Sequence, residues 1–347
     1  MIDVGLIGFG FAGRIFHAPF IRAVPGLRLA AIVQRRDSDA TEKYPDVRVV
    51  HGVGDLLAIS SVQLVVIATP NATHFDVAKQ CLLAGRNVIV DKPFTTTYSE
   101  AAELVELATR QQRLLSVYHN RRWDGDFLTL QNLQNIEELG KPVLFESRFD
   151  RFRPQLRPGA WRERAEPGGG VLFDLGPHLI DQALLLFGMP QAVSADIRVE
   201  RDGAVADDAF DVALYYQGTR ALLRAGMLLS APMPRFVSQS ARGSYIKFGL
   251  DPQEDALKRG ETPANHKWGQ EPQENWGTLR TLENGALVEH RVPTIAGDYR
   301  RYYENIRDTL LGKAELAVTP QQALDVMRAL ELAQESSKKR CALPWDS

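Results

Sequence analysis

The side chains of this 347-residue chain best suited to chemistry are one lysine and an acid–base–acid triplet. Lys92 stands in Asp91-Lys92-Pro93, directly after the apolar run from Asn87 to Val90. An ammonium at a strand exit can bond a substrate oxygen and stabilise negative charge that develops on it. Asp174, His178 and Asp181 stand at i, i+4 and i+7 within Gly168-Gly169-Gly170-Val171-Leu172-Phe173-Asp174-Leu175-Gly176-Pro177-His178-Leu179-Ile180-Asp181. On a helix they share one face, leaving Leu172, Leu175, Leu179 and Ile180 to pack elsewhere. An imidazole titrates near neutrality, so His178 can both accept and return a proton. Burying such groups costs free energy unless they are paired or used. A surface lysine and a satisfied structural Asp–His pair would show the same spacing. Gly176-Pro177 is expected to delay or kink the start of the helix.

A second group of residues, at the N-terminus, reads as a cofactor site. Gly8-Phe9-Gly10-Phe11-Ala12-Gly13 is a GxGxxG that follows the β-run Val4–Ile7, opens a helix through about Ala23, and is followed by a second apolar run, Leu27–Val33. That context reads as a dinucleotide site. Gly8 permits the tight turn, Gly10 lets the backbone approach a pyrophosphate, and Gly13 lets helix and strand pack closely. The helix start then offers N–H groups and partial positive charge to the phosphates. Gly8, Gly10, Phe11, Ala12 and Gly13 are the expected contacts. The tip of the second run reads Gln34-Arg35-Arg36, two guanidiniums where NAD enzymes place an acid. A fork of donors suits a 2′-phosphate, so Arg35, helped by Arg36, is expected to select NADP. Asp37 keeps NAD open. Thr69, Pro70 and Asn71 follow the run Val62–Ala68, a second strand exit where open α/β sheets bind ligands.

The elements that position these groups divide the chain in two. Residues 1–121 alternate continuous apolar runs with helical patterns, which predicts a doubly wound parallel sheet with both faces covered. Thr97-Tyr98-Ser99-Glu100 is a capping box before a helix, and Gly85 marks the end of the preceding one. Residues 122–347 predict an α+β domain. A helix near 126–139 is followed by strands at 142–149, 192–201, 209–216, 220–227, 236–239 and 245–248, forming a mostly antiparallel sheet. One strong helix, 171–187, interrupts them. Residues 251–275, polar and Pro-rich, read as a long surface loop. Helices follow at 299–311 and 320–338, the last able to pack back on the first domain. Tyr118-His119-Asn120-Arg121-Arg122-Trp123 joins the domains. Its Asn120 and Arg121 are candidate cofactor or substrate contacts, with interdomain packing as the other reading. Trp161, on a Pro/Gly-rich loop, covers the nicotinamide or substrate or caps the domain. His17 is read as a packing residue and His74 as a second-tier candidate.

Composition excludes several classes of function. Net charge is −2, with 44% hydrophobic and 24% charged residues, so nothing calls for nucleic acid or an anionic membrane. Two cysteines, Cys81 and Cys341, without metal-ligand spacing fit a reducing cytoplasm and no metal. The N-terminus lacks a signal-peptide pattern, and no run of about 18 apolar residues predicts a membrane span.

The combination of GFGFAG, DKP and GGGVLFDLGPHLID resembles the Gfo/Idh/MocA family, with Asp91 standing in the place of the usual glutamate of EKP. The segments HAPFI, YHNRRWDGDF and DLGPHLIDQ are similar to bacterial NADP-dependent scyllo-inositol dehydrogenases. The resemblance covers the whole chain and implies an NADP-dependent oxidoreductase of a cyclitol or sugar hydroxyl. It also implies that His178 takes the hydroxyl proton while Lys92 bonds the same oxygen. Asp174 then orients His178 or bonds a neighbouring hydroxyl, and Asp181 is a further polyol contact. The resemblance implies too that the mostly antiparallel sheet of residues 122–347 is large and open-faced. Relatives pair through that open sheet, which implies a homodimer or homotetramer. Two other readings remain: a nicotinamide-dependent glycoside hydrolase, and a non-catalytic NADP-binding sensor.

Overall fold

A computed structural model describes the chain except residues 36–38, 136–138, 158 and 347 and the side chains of Asn135 and Trp161. The chain forms two compact units. The first comprises residues 1–120, 254–268 and 298–327; the second comprises 121–253, 269–297 and 328–347.

The first unit is built on six strands: β1 (Ile2–Ile7), β2 (Leu27–Val33), β3 (Arg48–Val50), β4 (Val62–Ile67), β5 (Asn87–Val90) and β6 (Leu115–Val117). They lie in the order β3-β2-β1-β4-β5-β6, and every pair is parallel. β1, β4 and β5 are almost wholly buried, as strands covered on both faces must be. The order reverses between β1 and β4, so the exits of these two strands flank the place where such sheets take ligands. Helix ends follow local rules. Thr97 and Glu100 form the capping box of the Tyr98–Gln111 helix, and Gly85, at φ +72°, follows the His74–Leu83 helix. The segment 254–268 departs from the surface loop expected for 251–275. It holds the helix Gln253–Lys258 (its first residue in the second unit), and Trp268 is buried against Phe20, ring centroids 6.1 Å apart.

The second unit holds nine strands: β7 (Pro142–Arg148), β8 (Ala192–Arg198), β9 (Ala209–Tyr216), β10 (Thr219–Gly226), β11 (Phe236–Ser240), β12 (Gly243–Lys247), β13 (Gly277–Glu283), β14 (Ala286–Val292) and β15 (Leu343–Pro344). Their order is β14-β13-β12-β11-β7-β10-β9-β8-β15. Only β7 and β10 pair in parallel; the other neighbours are antiparallel. The helix Gly170–Phe187 packs on β10 and β9. By length and composition alone it could cross a membrane, but 83% of it is buried in the protein, as in the core helix of a globular domain. It also runs unbroken through Pro177, contrary to the expected delay or kink. Proline costs a helix one N–H bond and crowds the carbonyl four residues back. Here burial of nearly the whole helix compensates, and Gly176 allows close approach of Leu172 and Leu330.

Candidate active site

In the first unit, backbone shape does most of the work. Gly8 leaves β1 at φ +98°, and a side chain there would put its Cβ 2.5 Å from the Ala68 carbonyl oxygen at the exit of β4. A Cβ on Gly13 would lie 2.1 Å from the Gly8 carbonyl oxygen. Beside Gly10 there is nothing within 4 Å. Two glycines are thus required by the protein's own packing, while the third faces open space at a helix start. A pyrophosphate needs backbone N–H groups that can be approached without a Cβ in the way, so the turn fits a dinucleotide. Phe11 is exposed beside it, and Ala12 enters the π-helical turn Gly13–His17. At the end of β2, Gln34 accepts the Ala40 N–H through its side-chain oxygen (3.1 Å), and Arg35 is exposed. Arg36 lies outside the described residues.

The exits of β4 and β5 are tied to each other. His74 is fully buried, with Nε2 2.9 Å from the Thr69 carbonyl oxygen and Nδ1 2.9 Å from that of Pro93; a neutral ring donates to one of the two. Burial holds its pKa below the ordinary histidine value, against the pull of Asp91 and the carbonyls. The Thr73 hydroxyl donates to the Thr69 hydroxyl (2.7 Å) and contacts the Pro70 carbonyl oxygen, and Asn71 is buried. Lys92 precedes a cis proline. Its N–H donates to Asp91 Oδ1 at 2.9 Å, and His17 Nε2 approaches the same oxygen at 3.8 Å. Burial would raise the Asp91 carboxyl, but His17, Lys92 and His74 outweigh it and hold the pKa below the usual range. His17 is anchored by Tyr303, Nδ1 to Oη 2.6 Å. Asn120, also of this unit, is buried.

In the second unit the charged side chains are built into pairs. Asp174, His178 and Asp181 lie on one face of the Gly170–Phe187 helix and are all buried. Arg162 Nε reaches Asp174 Oδ2 at 2.6 Å, with Arg151 Nη1 at 3.9 Å. Asp181 accepts a fork from Arg122, Nε to Oδ2 2.8 Å and Nη2 to Oδ1 2.6 Å. Arg121 meets Asp124 at 3.3 Å, lies 4.7 Å over the Phe149 ring, and takes the Gln182 amide on its carbonyl (2.8 Å). The His178 ring sits 6.3 Å from Phe149. Of Trp161 only the backbone turn Trp161–Glu163 is described. Two cavities among the described residues, of about 930 and 680 Å³, are lined by none of the candidate residues. No group of three or more His, Cys, Asp or Glu among the described residues is placed to hold a metal.

Sequence reasoning named the acids but not their guanidinium partners. Arg162 could have been found, since an arginine near a buried acid is its commonest compensation. Arg122, separated from Asp181 by 59 positions, carries no such local signal.

Two family models match nearly the whole chain. The model described as an oxidoreductase family, NAD-binding Rossmann fold, matches residues 2–119, and the one described as its C-terminal alpha/beta domain matches residues 134–343. The chain belongs to the Gfo/Idh/MocA oxidoreductase family. As a Gfo/Idh/MocA protein it is an NAD(P)-binding oxidoreductase. It is 46% identical over 342 residues to the uncharacterised oxidoreductase YdgJ of Escherichia coli strain K12, covering 99% of this chain and 98% of that one. It is 36% identical over 339 residues to the scyllo-inositol 2-dehydrogenase (NADP(+)) IolW of Bacillus subtilis strain 168, covering 98% and 94%. Among solved structures, yvaA of Bacillus subtilis superposes with a TM-score of 0.96 at 35% identity over 99% of this chain and 98% of that one. The Yersinia pestis protein YPO2259 gives 0.93 at 44%, covering 99% and 97%. The family resemblance read from GFGFAG, DKP and GGGVLFDLGPHLID therefore holds over both units.

Proposed function

We propose that this oxidoreductase is an NADP-dependent dehydrogenase of a carbinol carbon in a cyclitol or sugar. The nicotinamide, when bound, supplies the carbon that takes up or returns the hydride. His178 is the acid–base group for the substrate hydroxyl, and Lys92 is the cation that favours its alkoxide character. Asp174 holds His178 in orientation or bonds a neighbouring hydroxyl. Asn120, Arg121, Trp161 and Asp181 are assigned to the remaining hydroxyls and to covering the nicotinamide. Arg35, with Arg36, takes the 2′-phosphate, while Gly8, Gly10, Phe11, Ala12, Gly13, Thr69, Pro70, Asn71 and Lys92 line the dinucleotide.

The observation that carries this reading is the unbroken helix that sets Asp174 and His178 one turn apart with Arg162 on the carboxylate. Such a pair suits reversible proton transfer from an alcohol and needs no metal. The similarity to an enzyme named for scyllo-inositol and NADP supports the substrate class and the cofactor. The test is a panel of cyclitols and aldoses with NADP and with NAD, followed by absorbance of the reduced nicotinamide. Net NADP reduction with a cyclitol is expected. Cofactor recycling with glycoside cleavage, or no reduction with any polyol, would discard the reading.

The active form is proposed to be a cytoplasmic homodimer or homotetramer that covers the nine-stranded sheet. The free cysteines and the exposed Val143, Leu282 and Leu287 on its strands support this. Light scattering that finds a monomer at working concentration counts against it.

A further inference from the structure

The helix carrying Asp174 and His178 begins without a cap of its own. Its first turn follows Gly168-Gly169-Gly170, and Gly169, at the cap position, has no side chain to accept a hydrogen bond. Free N–H groups at a buried helix start must find acceptors elsewhere. They find them on Asp207, 35 positions along the chain. Its backbone carbonyl accepts the Val171 N–H at 2.8 Å, and its carboxylate Oδ2 accepts the Leu172 N–H at 2.7 Å. Gly170 has φ +80°, and a Cβ there would lie 1.9 Å from Asp207 Oδ1. The glycine run is thus the complement of the carboxylate that sits over it.

The next residue ties down the other approach to Asp174. Asp208 is buried, and its carboxylate accepts the Glu200 N–H (2.7 Å), the Arg201 N–H (3.0 Å) and Arg201 Nε (2.9 Å). Arg201 forks to Glu163, Nη2 to Oε2 2.8 Å and Nη1 to Oε1 3.2 Å. Glu163 follows Arg162 directly, and Arg162 is the guanidinium on Asp174. Two adjacent carboxylates therefore hold the helix that bears Asp174 and the turn that brings arginine to it.

We propose that Asp207 is a positioning residue, its carboxylate setting the placement of the Asp174–His178 helix while Asp208, through Arg201 and Glu163, sets Arg162 against Asp174. The proposal rests on the reading of His178 as the acid–base group. Burial pushes the Asp207 carboxyl up to about 6, opposed by the Leu172 and Val171 N–H groups and reinforced by Asp208.

Three variants test it: Asp207→Ala removes the acceptor, Asp207→Asn keeps an oxygen in its place, and Gly170→Ala pushes the carboxylate away. Two readouts are compared, steady-state kinetics and the NMR titration of the His178 imidazole. Misplacing a catalytic group by about 1 Å costs up to about 100-fold, so Asp207→Ala and Gly170→Ala are expected to lower kcat by about 10- to 100-fold with KM for NADP within about twofold. The His178 titration moves in both. Asp207→Asn restores kcat to within about threefold and leaves the titration in place, as a kept acceptor should. Folded Asp207→Ala with wild-type kcat and an unmoved His178 titration would overturn the proposal. Where Asp207→Ala does not fold, Asp207→Ser, with its acceptor set back by one bond, takes its place under the same criteria. If the wild type reduces NADP with no polyol, the functional reading fails on its own, and the His178 titration still decides the positioning role.

Discussion

Two glycine-rich helix starts, one in each unit, are opposites. At Gly8–Gly13 a side chain on Gly10 would meet nothing within 4 Å, while at Gly168–Gly170 a side chain on Gly170 would meet the Asp207 carboxylate at 1.9 Å. Both runs remove Cβ atoms in front of helical N–H groups, the arrangement that favours anions. One leaves that position open to a ligand's phosphates, and the other fills it with the protein's own acid. Glycine composition alone therefore does not distinguish a ligand site from an internal cap. What distinguishes them is whether a charged side chain arrives from elsewhere in the chain.

The largest effect that would break this contrast comes from the helix face. His178→Gln is expected to lower kcat by about 100- to 10,000-fold while NADPH binding, read by fluorescence, survives. Near-normal turnover would pass the acid–base role to another group, with Lys92 first. Next comes the tip of β2. If Arg35 holds the 2′-phosphate as proposed, Arg35→Asp removes a charge-assisted contact of about 1.5–3 kcal/mol, so NADP preference over NAD should fall by about 10- to 100-fold. An unchanged cofactor preference in kcat/KM removes Arg35 from the 2′-phosphate.

The glycines themselves sharpen the comparison further. Gly10→Ala has room in the protein, so its melting temperature should hold while NADPH affinity drops by about tenfold. Gly170→Ala should do the reverse, losing about 1–3 kcal/mol of stability through strain at positive φ with NADPH affinity kept. If both variants behave alike, the two helix starts are not the opposites described above.

The smallest effect is a pH dependence. Because the Asp207 pKa is raised from 3.8 to about 6, the native state holds this proton more tightly than the unfolded chain. That contribution is fully present below pH 4 and is lost as pH rises through 6. Asparagine does not titrate. Asp207→Asn should therefore gain about 1–3 kcal/mol relative to wild type between pH 4 and 7, and little beyond. Denaturant melts at pH 4, 5.5 and 7.5 measure the gap; a constant difference would show that Asp207 does not titrate differently on folding.

Much of the first unit was readable along the chain because its rules are local. The run Val62–Ile67, the Thr97–Glu100 box and the Gly8 turn each draw on neighbours within a few residues. The hairpin β13–β14 was missed although Asn284-Gly285, both at positive φ, is a strong turn signal. Its strands are largely exposed, so no apolar alternation marked them. Segment 251–275 was misread because its polar, proline-rich composition hides Trp268, whose burial depends on Phe20. At the candidate site, the types and spacing of Lys92, Asp174 and His178 were legible, and their partners were not.

From the order of residues alone followed the glycine turn, the alternation of strand and helix, and the stripe of Asp174, His178 and Asp181, since each depends on backbone geometry and periodicity. Only the tertiary structure decided that Arg162 lies on Asp174, that Arg122 forks onto Asp181 and that Asp207 closes a helix 35 positions before it. A buried charge takes whatever opposite charge or donor the fold brings within about 3 Å, and that choice is made by packing between distant segments.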